Sequence, residues 1–242
     1  MEVLGIDIGG SGIKGAIVNT DKGEFVTERT RIKTPQPATP DVIAKTLKKI
    51  VNHFQWKGKV GCGFPAVIQN GVIKTASNID NSCIGVNANK LFSEVTNCNV
   101  KVYNDADAAG FAELKFGKVK NFTGLTLFLT VGTGIGSALF YQGKLIPNTE
   151  FGQIFMHNQL IAEKYASDAI RKKEDLNWKK WGSRFNEYLE YIEKLVYPEL
   201  IILGGGTSKK FDKFSNQIKI KTPVEPAQLL NQAGIIGAAL LA

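Results

Sequence analysis

Val3-Leu4-Gly5-Ile6-Asp7-Ile8-Gly9-Gly10-Ser11-Gly12-Ile13-Lys14-Gly15-Ala16-Ile17-Val18 decides the fold of this 242-residue chain. Val3 to Ile8 suits a buried strand, Gly9-Gly10-Ser11-Gly12 turns, and the apolar residues from Ile13 to Val18 make a second strand. The same pattern returns downstream. Leu125 to Val131 runs into Gly132-Thr133-Gly134-Ile135-Gly136 and continues as Ala138-Leu139-Phe140-Tyr141. Sliding the chain by about 122 positions lays Gly10-Ser11-Gly12-Ile13 on Gly132-Thr133-Gly134-Ile135, a faint repeat implying two related halves. A third strand, Leu200 to Leu203, enters Gly204-Gly205-Gly206.

Around these turns the signals alternate between strand and helix. Thr39-Pro40 reads as an N-cap followed by proline in the first helical turn, and apolar residues at helical spacing carry that helix to about Phe54. Val60 to Phe64 and Asn99 to Tyr103 read as strands, Gln69-Asn70-Gly71-Val72 as a turn, and Asp105 to Phe116 as a helix. Further helices are expected over 160–172 and 178–196, with a last one near the C-terminus containing Gly234 and Gly237. The pattern predicts an α/β protein of two lobes with a cleft between them. The expected division is an N-terminal lobe of residues 1–108, with a C-terminal helix over 227–242 packing back on it, and a C-terminal lobe of 109–226.

Glycine turns after strands allow backbone N–H groups to approach an anion, because no Cβ stands in the way. Phosphate is the candidate ligand for Gly9, Gly10, Ser11, Gly12 and Lys14, for Thr133, Gly134 and Gly136, and for Gly205 and Gly206. A plain hairpin turn is the competing explanation for each. A dinucleotide fingerprint needs a helix directly after the loop, and a Walker loop needs Gly-Lys-Ser/Thr; Gly12-Ile13-Lys14-Gly15 satisfies neither. Asp7, at the strand end, is a candidate to hold Mg²⁺, directly or through water, against phosphate oxygens, with a turn-capping aspartate as the competing explanation. Asn104-Asp105-Ala106-Asp107, between a strand and a helix, reads first as a helix cap.

Composition narrows the class further. Thirty basic residues, 26 of them lysine, against 22 acidic ones give a net charge of +8. The excess favours an anionic partner, with a lysine-rich solvated surface as the plain alternative. Apolar runs interrupted by glycine fall short of the roughly 20 residues of a membrane span. No signal peptide is expected at the start, and the protein is read as cytoplasmic. Three cysteines without CxxC spacing argue against a disulfide framework or structural zinc.

Taken in order, Asp7 to Gly15, Asn104-Asp105-Ala106-Asp107-Ala108-Ala109, Thr133-Gly134-Ile135-Gly136 and Gly204-Gly205-Gly206 resemble the repressor/ORF/kinase (ROK) family of sugar kinases. Pro147-Asn148-Thr149-Glu150, Trp178 to Trp181, Gly205-Gly206-Thr207-Ser208-Lys209 and Thr222-Pro223-Val224 are similar to the polyphosphate-using members of that family. The resemblance spans essentially the whole chain. It implies the two-lobed actin-like/hexokinase-like ATPase fold, which is ribonuclease H-like. It also implies transfer of a terminal phosphoryl group from polyphosphate or ATP to the 6-hydroxyl of glucose, with Mg²⁺ accompanying the donor.

By the same resemblance Asp105 is the general base, and Asn78, Asn104, Glu150 and Glu163 contact sugar. The family's histidine after E-x-G falls on Gln153, which can still donate and accept hydrogen bonds but does not titrate. The cysteine-rich zinc motif of many relatives is not found. An N-terminal DNA-reading domain and a nucleic-acid partner are not expected, because the phosphate loop begins by residue 9; a homodimer is implied. Two other readings stay open: an ATP-dependent hexokinase for another hexose or amino sugar, and a sugar-binding sensor with little turnover, suggested by Gln153.

Overall fold

A computed structural model describes residues 1–77 and 79–242. The chain falls into two compact units, one formed by residues 1–116 with 232–242 and the other by 117–231. The sequence pattern predicts the divide at 108. That position lies inside helix α3 (Asp105–Phe116), whose turns stay together, and the units part after its last residue.

The first unit is built on a mixed sheet. Strands β1 (Glu2–Gly9) and β2 (Gly12–Asn19) form the expected hairpin around Gly10 and Ser11, with Gly9 opposite Gly12 as the last pair. β3 (Glu24–Phe25) and β4 (Thr30–Ile32) both pair with β2. On the other side, β5 (Lys59–Phe64) runs parallel to β1, and β8 (Asn99–Asn104) runs parallel to β5, giving the order β3-β2-β1-β5-β8.

The alternation Gly5-Ile6-Asp7-Ile8-Gly9 explains how this sheet is used. Successive side chains point to opposite faces, so Leu4, Ile6 and Ile8 enter one core together with Val60, Cys62, Phe64, Val100 and Val102. That core is covered by Ile43, Leu47, Ile50 and Val51 of α1 (Pro40–His53), which Thr39 precedes as N-cap, and by Phe92 of α2 (Ala88–Thr96). Between them, β6 (Ile68–Gln69) and β7 (Val72–Ile73) form a small hairpin turned by Asn70 and Gly71, both at positive φ, as an Asn-Gly turn requires.

The opposite face carries Gly5, Asp7 and Gly9 of β1 and Gly61 and Gly63 of β5. Here the C-terminal helix α7 (Ala233–Leu241) lies directly on the sheet. A methyl group on Gly5 would come 2.1 Å from the Ile235 carbonyl, one on Gly61 1.8 Å from the Ala238 carbonyl, and one on Gly237 1.6 Å from the Ala108 carbonyl of α3. Glycine at these points lets backbone pack on backbone. The helix begins at Ala233 and not at 227: strand β13 (Val224–Pro226) belongs to the other unit, the Ala227 N–H continues its pairing by donating to the Leu203 carbonyl, and Leu230 takes a positive φ that a helix cannot include.

The second unit repeats the plan. β9 (Thr126–Val131) and β10 (Ile135–Tyr141) form a hairpin, β11 (Lys144–Ile146) extends it, and β12 (Leu200–Gly204) and β13 continue in parallel, giving the order β11-β10-β9-β12-β13. A glycine-turned hairpin flanked by parallel strands thus occurs in both sheets, which gives the faint sequence repeat a topological meaning. The core of this unit joins Leu127, Leu129, Val131, Ile201 and Leu203 to Trp181, Phe185, Tyr188, Leu189 and Ile192 of α6 (Trp178–Val196).

The helix expected over 160–172 is two short ones, α4 (Ala162–Ala166) and α5 (Asp168–Lys173). Ser167 interrupts it, because its side chain turns to accept from the Ile170 N–H and caps the second piece. No helix among the described residues is long and apolar enough to cross a membrane.

Candidate functional site

In the first unit the candidate residues gather where the parallel strands end, the edge of an open α/β sheet at which ligands characteristically bind. Asp7 of β1 lies opposite Gly63 of β5, which lies opposite Tyr103 of β8. Two strand spacings of about 4.8 Å put Asp7 and the end of β8 roughly 10 Å apart. Asp105 follows the last residue of β8 as the first of α3, half-buried, with Gly63 beneath it; a methyl on Gly63 would touch its Cα and Cβ at 3.5 and 3.7 Å, ordinary contact. The turn at Gly9–Gly12 closes the same edge.

Asn104 sets the direction of this helix. Its side-chain Oδ1 accepts from the Ala106 and Asp107 N–H groups at 2.9 and 3.0 Å, and its Nδ2 donates to the Ala66 carbonyl at 3.1 Å. The cap explanation therefore holds for Asn104, which is only 6% exposed. Its effect is to fix the backbone from which Asp105 projects. Among the described residues its second amide hydrogen meets no acceptor, which leaves it for a ligand.

Asp7 is half-buried, and Lys14, opposite it on β2, donates to its Oδ2 at 3.0 Å. Gly234, near the start of α7, closes over the carboxyl group; a methyl there would come 3.1 Å from Cγ. Two residues that the sequence reading passed over hold the turn: Thr34 donates its hydroxyl to the Gly9 carbonyl, and Arg31 donates to the Ser11 carbonyl at 3.1 Å. Each lies on a short segment whose register cannot be read from composition. Among the described residues no three His, Cys, Asp or Glu groups come together to hold a metal. A hard cation sharing one carboxylate with phosphate oxygens and water is the arrangement Asp7 fits.

The second unit assembles its own set. Gly132, Thr133 and Gly134 link β9 to β10, and Gly205 and Gly206 follow β12 at the same sheet end, since Gly204 is opposite Thr130. Gly205 sits at φ +78°, with no room for a side chain against Val131, and Thr207 donates to the Val131 carbonyl at 3.4 Å. By contrast, a side chain at Gly132 or Gly206 would meet nothing within 4 Å among the described residues. Packing does not demand glycine there, whereas a ligand approaching the backbone does.

Glu163 of α4 lies against this loop: a methyl on Gly134 would come 2.5 Å from its Oε2. Glu150, Gly152 and Gln153 belong to a segment pressed on the start of β10, where a methyl on Gly152 would come 2.0 Å from the Ile135 carbonyl. Ser137 of β10 ties the segment down, donating to the Thr149 carbonyl at 2.7 Å and accepting from the Phe151 N–H at 3.0 Å. Although Glu150 is partly exposed, desolvation of its carboxyl group first, and the Glu163 carboxylate second, push that group above its ordinary range. Ser137 was not singled out from sequence; a lone serine in a strand gives no signal of a partner twelve residues on.

The structure thus brings Glu150, Gln153 and Glu163 to the Gly132–Gly136 turn within one unit, and Asp7, Lys14, Asn104 and Asp105 to the Gly9–Gly12 turn within the other. Asn78 lies outside the described residues. Chemically, the set around Asp7 and Asp105 offers a carboxylate for a proton, a second for a cation, and a turn for an anion; the set around Glu150 and Glu163 offers hydrogen-bonding groups suited to hydroxyls beside another such turn.

A profile of the ROK family matches residues 3–164. The polyphosphate glucokinase of Mycobacterium tuberculosis is 47% identical over 238 residues, which cover 98% of this chain and 89% of that protein. The crystal structure of an inorganic polyphosphate/ATP-glucomannokinase from Arthrobacter sp. strain KM superposes with a TM-score of 0.95 at 40% identity, covering 99% of this chain and 97% of that one. A ROK family glucokinase from Streptomyces griseus, solved with glucose and AMPPNP, shares the fold at 22% identity, with a TM-score of 0.86 over 100% of this chain and 99% of that one.

Proposed function

Because the chain belongs to the ROK family and has its actin-like/hexokinase-like fold, we propose that it is a sugar kinase transferring the terminal phosphoryl group of polyphosphate, or of ATP, to the 6-hydroxyl of glucose. The names borne by the similar proteins support the acceptor and both donors. The observation that carries the reading is the position of Asp105, fixed by the Asn104 cap at the sheet edge that also holds Asp7 and the first glycine turn.

Asp105 orients the sugar's primary hydroxyl and takes its proton as the oxygen attacks the terminal phosphorus. The phosphorus–oxygen bond to the rest of the donor breaks, and the shortened donor leaves with the bonding electrons. Backbone N–H groups of the glycine turns hold the phosphate oxygens, with Lys14, paired to Asp7, beside them as a hydrogen-bond donor. Asp7 is the residue that would hold Mg²⁺, which when bound would neutralise charge on the donor. Sugar hydroxyls are the partners proposed for Asn78, Glu150, Gln153 and Glu163. The three free, buried cysteines suit a reducing compartment, and the cytoplasm is the proposed one.

The test is phosphorylation of glucose with Mg²⁺ and either donor, in the parent and in Asp105→Asn. The amide keeps the shape and loses the base. Turnover falls by about 10²-fold or more, while glucose binding by calorimetry is retained. Unchanged turnover in Asp105→Asn refutes the base assignment, and a parent inactive with both donors refutes the kinase reading. The glucomannokinase relative favours mannose as a second acceptor, which the same assay measures.

A further inference from the structure

The first glycine turn holds a cation to which the reaction above gives no task. Arg31 of β4 lies opposite Lys14 of β2, which lies opposite Asp7 of β1, so three charged side chains form a row on one face of the sheet. Asp7 and Lys14 pair at 3.0 Å and largely cancel. Arg31 has no carboxylate partner among the described residues, and it is exposed to solvent. The row therefore carries an unbalanced positive charge at its outer end, on the face that holds Gly9 and Gly12.

The guanidinium is not free to wander. Its Nη2 donates to the Ser11 carbonyl at 3.1 Å, and it lies against Gly12 closely enough that an added methyl would come 2.5 Å from Nε and 3.1 Å from Nη2. A side chain at position 12 would displace it from this position. Among the described residues its remaining N–H groups meet no acceptor, and the side chain is exposed beside the turn. A long cationic side chain ordinarily loses rotamer freedom on binding an anion; here much of that loss is already met by the fold. Holding the turn would need a single donor to one carbonyl. A planar fork with an uncompensated charge offers more, since it matches two oxygens of a phosphate, or oxygens of adjacent phosphates, at once.

We propose that Arg31 is a donor-binding residue that grips the phosphoanhydride chain behind the group being transferred, favouring long linear polyphosphate. This rests on the phosphotransferase reading, which places the donor at the Gly9–Gly12 turn. Arg31 does not touch the reacting atoms, and its contribution lies in donor affinity.

The experiment compares the full-length parent with Arg31→Gln and Arg31→Lys, measuring kcat and KM for long-chain polyphosphate and for glucose, together with binding of the same polyphosphate without sugar, followed by tryptophan fluorescence. Arg31→Gln keeps an N–H donor for the Ser11 carbonyl but removes the charge. It raises the polyphosphate KM and weakens sugar-free binding roughly ten- to a hundredfold. The glucose KM and the kcat at saturating donor change less than about twofold, and the salt dependence of polyphosphate binding falls by about one ion. Arg31→Lys, with charge but no fork, lies between. Unaltered polyphosphate binding in Arg31→Gln overturns the proposal, as does a loss confined to melting temperature or shared equally by both substrates, which would make Arg31 a brace for the turn. A parent without phosphotransferase activity fails the underlying reading instead, whatever the Arg31 variants bind.

Discussion

Two glycines on one strand, two residues apart and on the same face, offer a sharp test of how α7 is seated. A methyl group added at Gly61 would come 1.8 Å from the Ala238 carbonyl oxygen, 2.4 Å from its carbon and 3.1 Å from the Ala239 nitrogen. Ordinary contact begins near 3.4 Å, so Gly61→Ala requires the helix to withdraw by about 1.5 Å. No flexible side chain can absorb the shift, because the obstacle is backbone. The displacement opens the neighbouring contacts at Gly5 and Gly237 and lifts Gly234 from Asp7. Overpacking of this kind costs about 3 kcal/mol, and for a chain of this size that lowers the melting temperature by roughly 6–12 °C.

Gly63→Ala is the control. Its methyl meets Asp105 at 3.5 and 3.7 Å, within ordinary contact, and it removes a glycine from a strand, so stability changes by less than about 1 kcal/mol. Scanning calorimetry of both variants reads the difference. A Gly61→Ala protein melting within about 2 °C of the parent, or a Gly63→Ala protein as damaged as Gly61→Ala, would refute the close seating of α7 on β5.

Glu150 gives a pH-dependent prediction. Since the fold raises its pKa from the ordinary 4.5 through burial and the charge of Glu163, the native chain binds this proton more tightly than the unfolded one, and the group costs stability as pH rises through its folded value. Glu150→Gln should therefore match the parent in melting temperature near pH 4 and equal or exceed it near pH 7, while binding sugar more weakly; lower stability than the parent confined to neutral pH would contradict the sign. Ser137→Ala removes the tie between β10 and the Thr149–Phe151 segment. It should cost about 1–3 kcal/mol and raise the sugar KM several-fold with the polyphosphate KM little changed, which steady-state kinetics on each substrate checks.

The sequence by itself determined the local architecture. The alternation from Val3 to Ile8 assigns one face to the core and the other to Gly5, Asp7 and Gly9, and this follows from the two-residue period of any strand. Glycine pairs and Asn70-Gly71 specify turns through backbone freedom, and Thr39-Pro40 specifies a helix start, because the physics is confined to a few neighbouring residues. The strand from Asn99 and the helix from Asp105 were legible for the same reason, whereas a base at Asp105 is implied by the family resemblance and not by these local signals.

What only the tertiary structure decided is where distant segments meet. Arg31 reaches Ser11 across twenty residues and Gly12 from the adjacent strand, Glu163 settles on Gly134, and α7 closes over Asp7 from the far end of the chain. Composition carries no trace of such pairings. Each depends on strand register and on the missing Cβ of a glycine in another element, and register is set by the packing of the whole sheet. The break at Ser167 belongs to the same class: a hydroxyl chose a local N–H over helix continuity once the chain around it was in place.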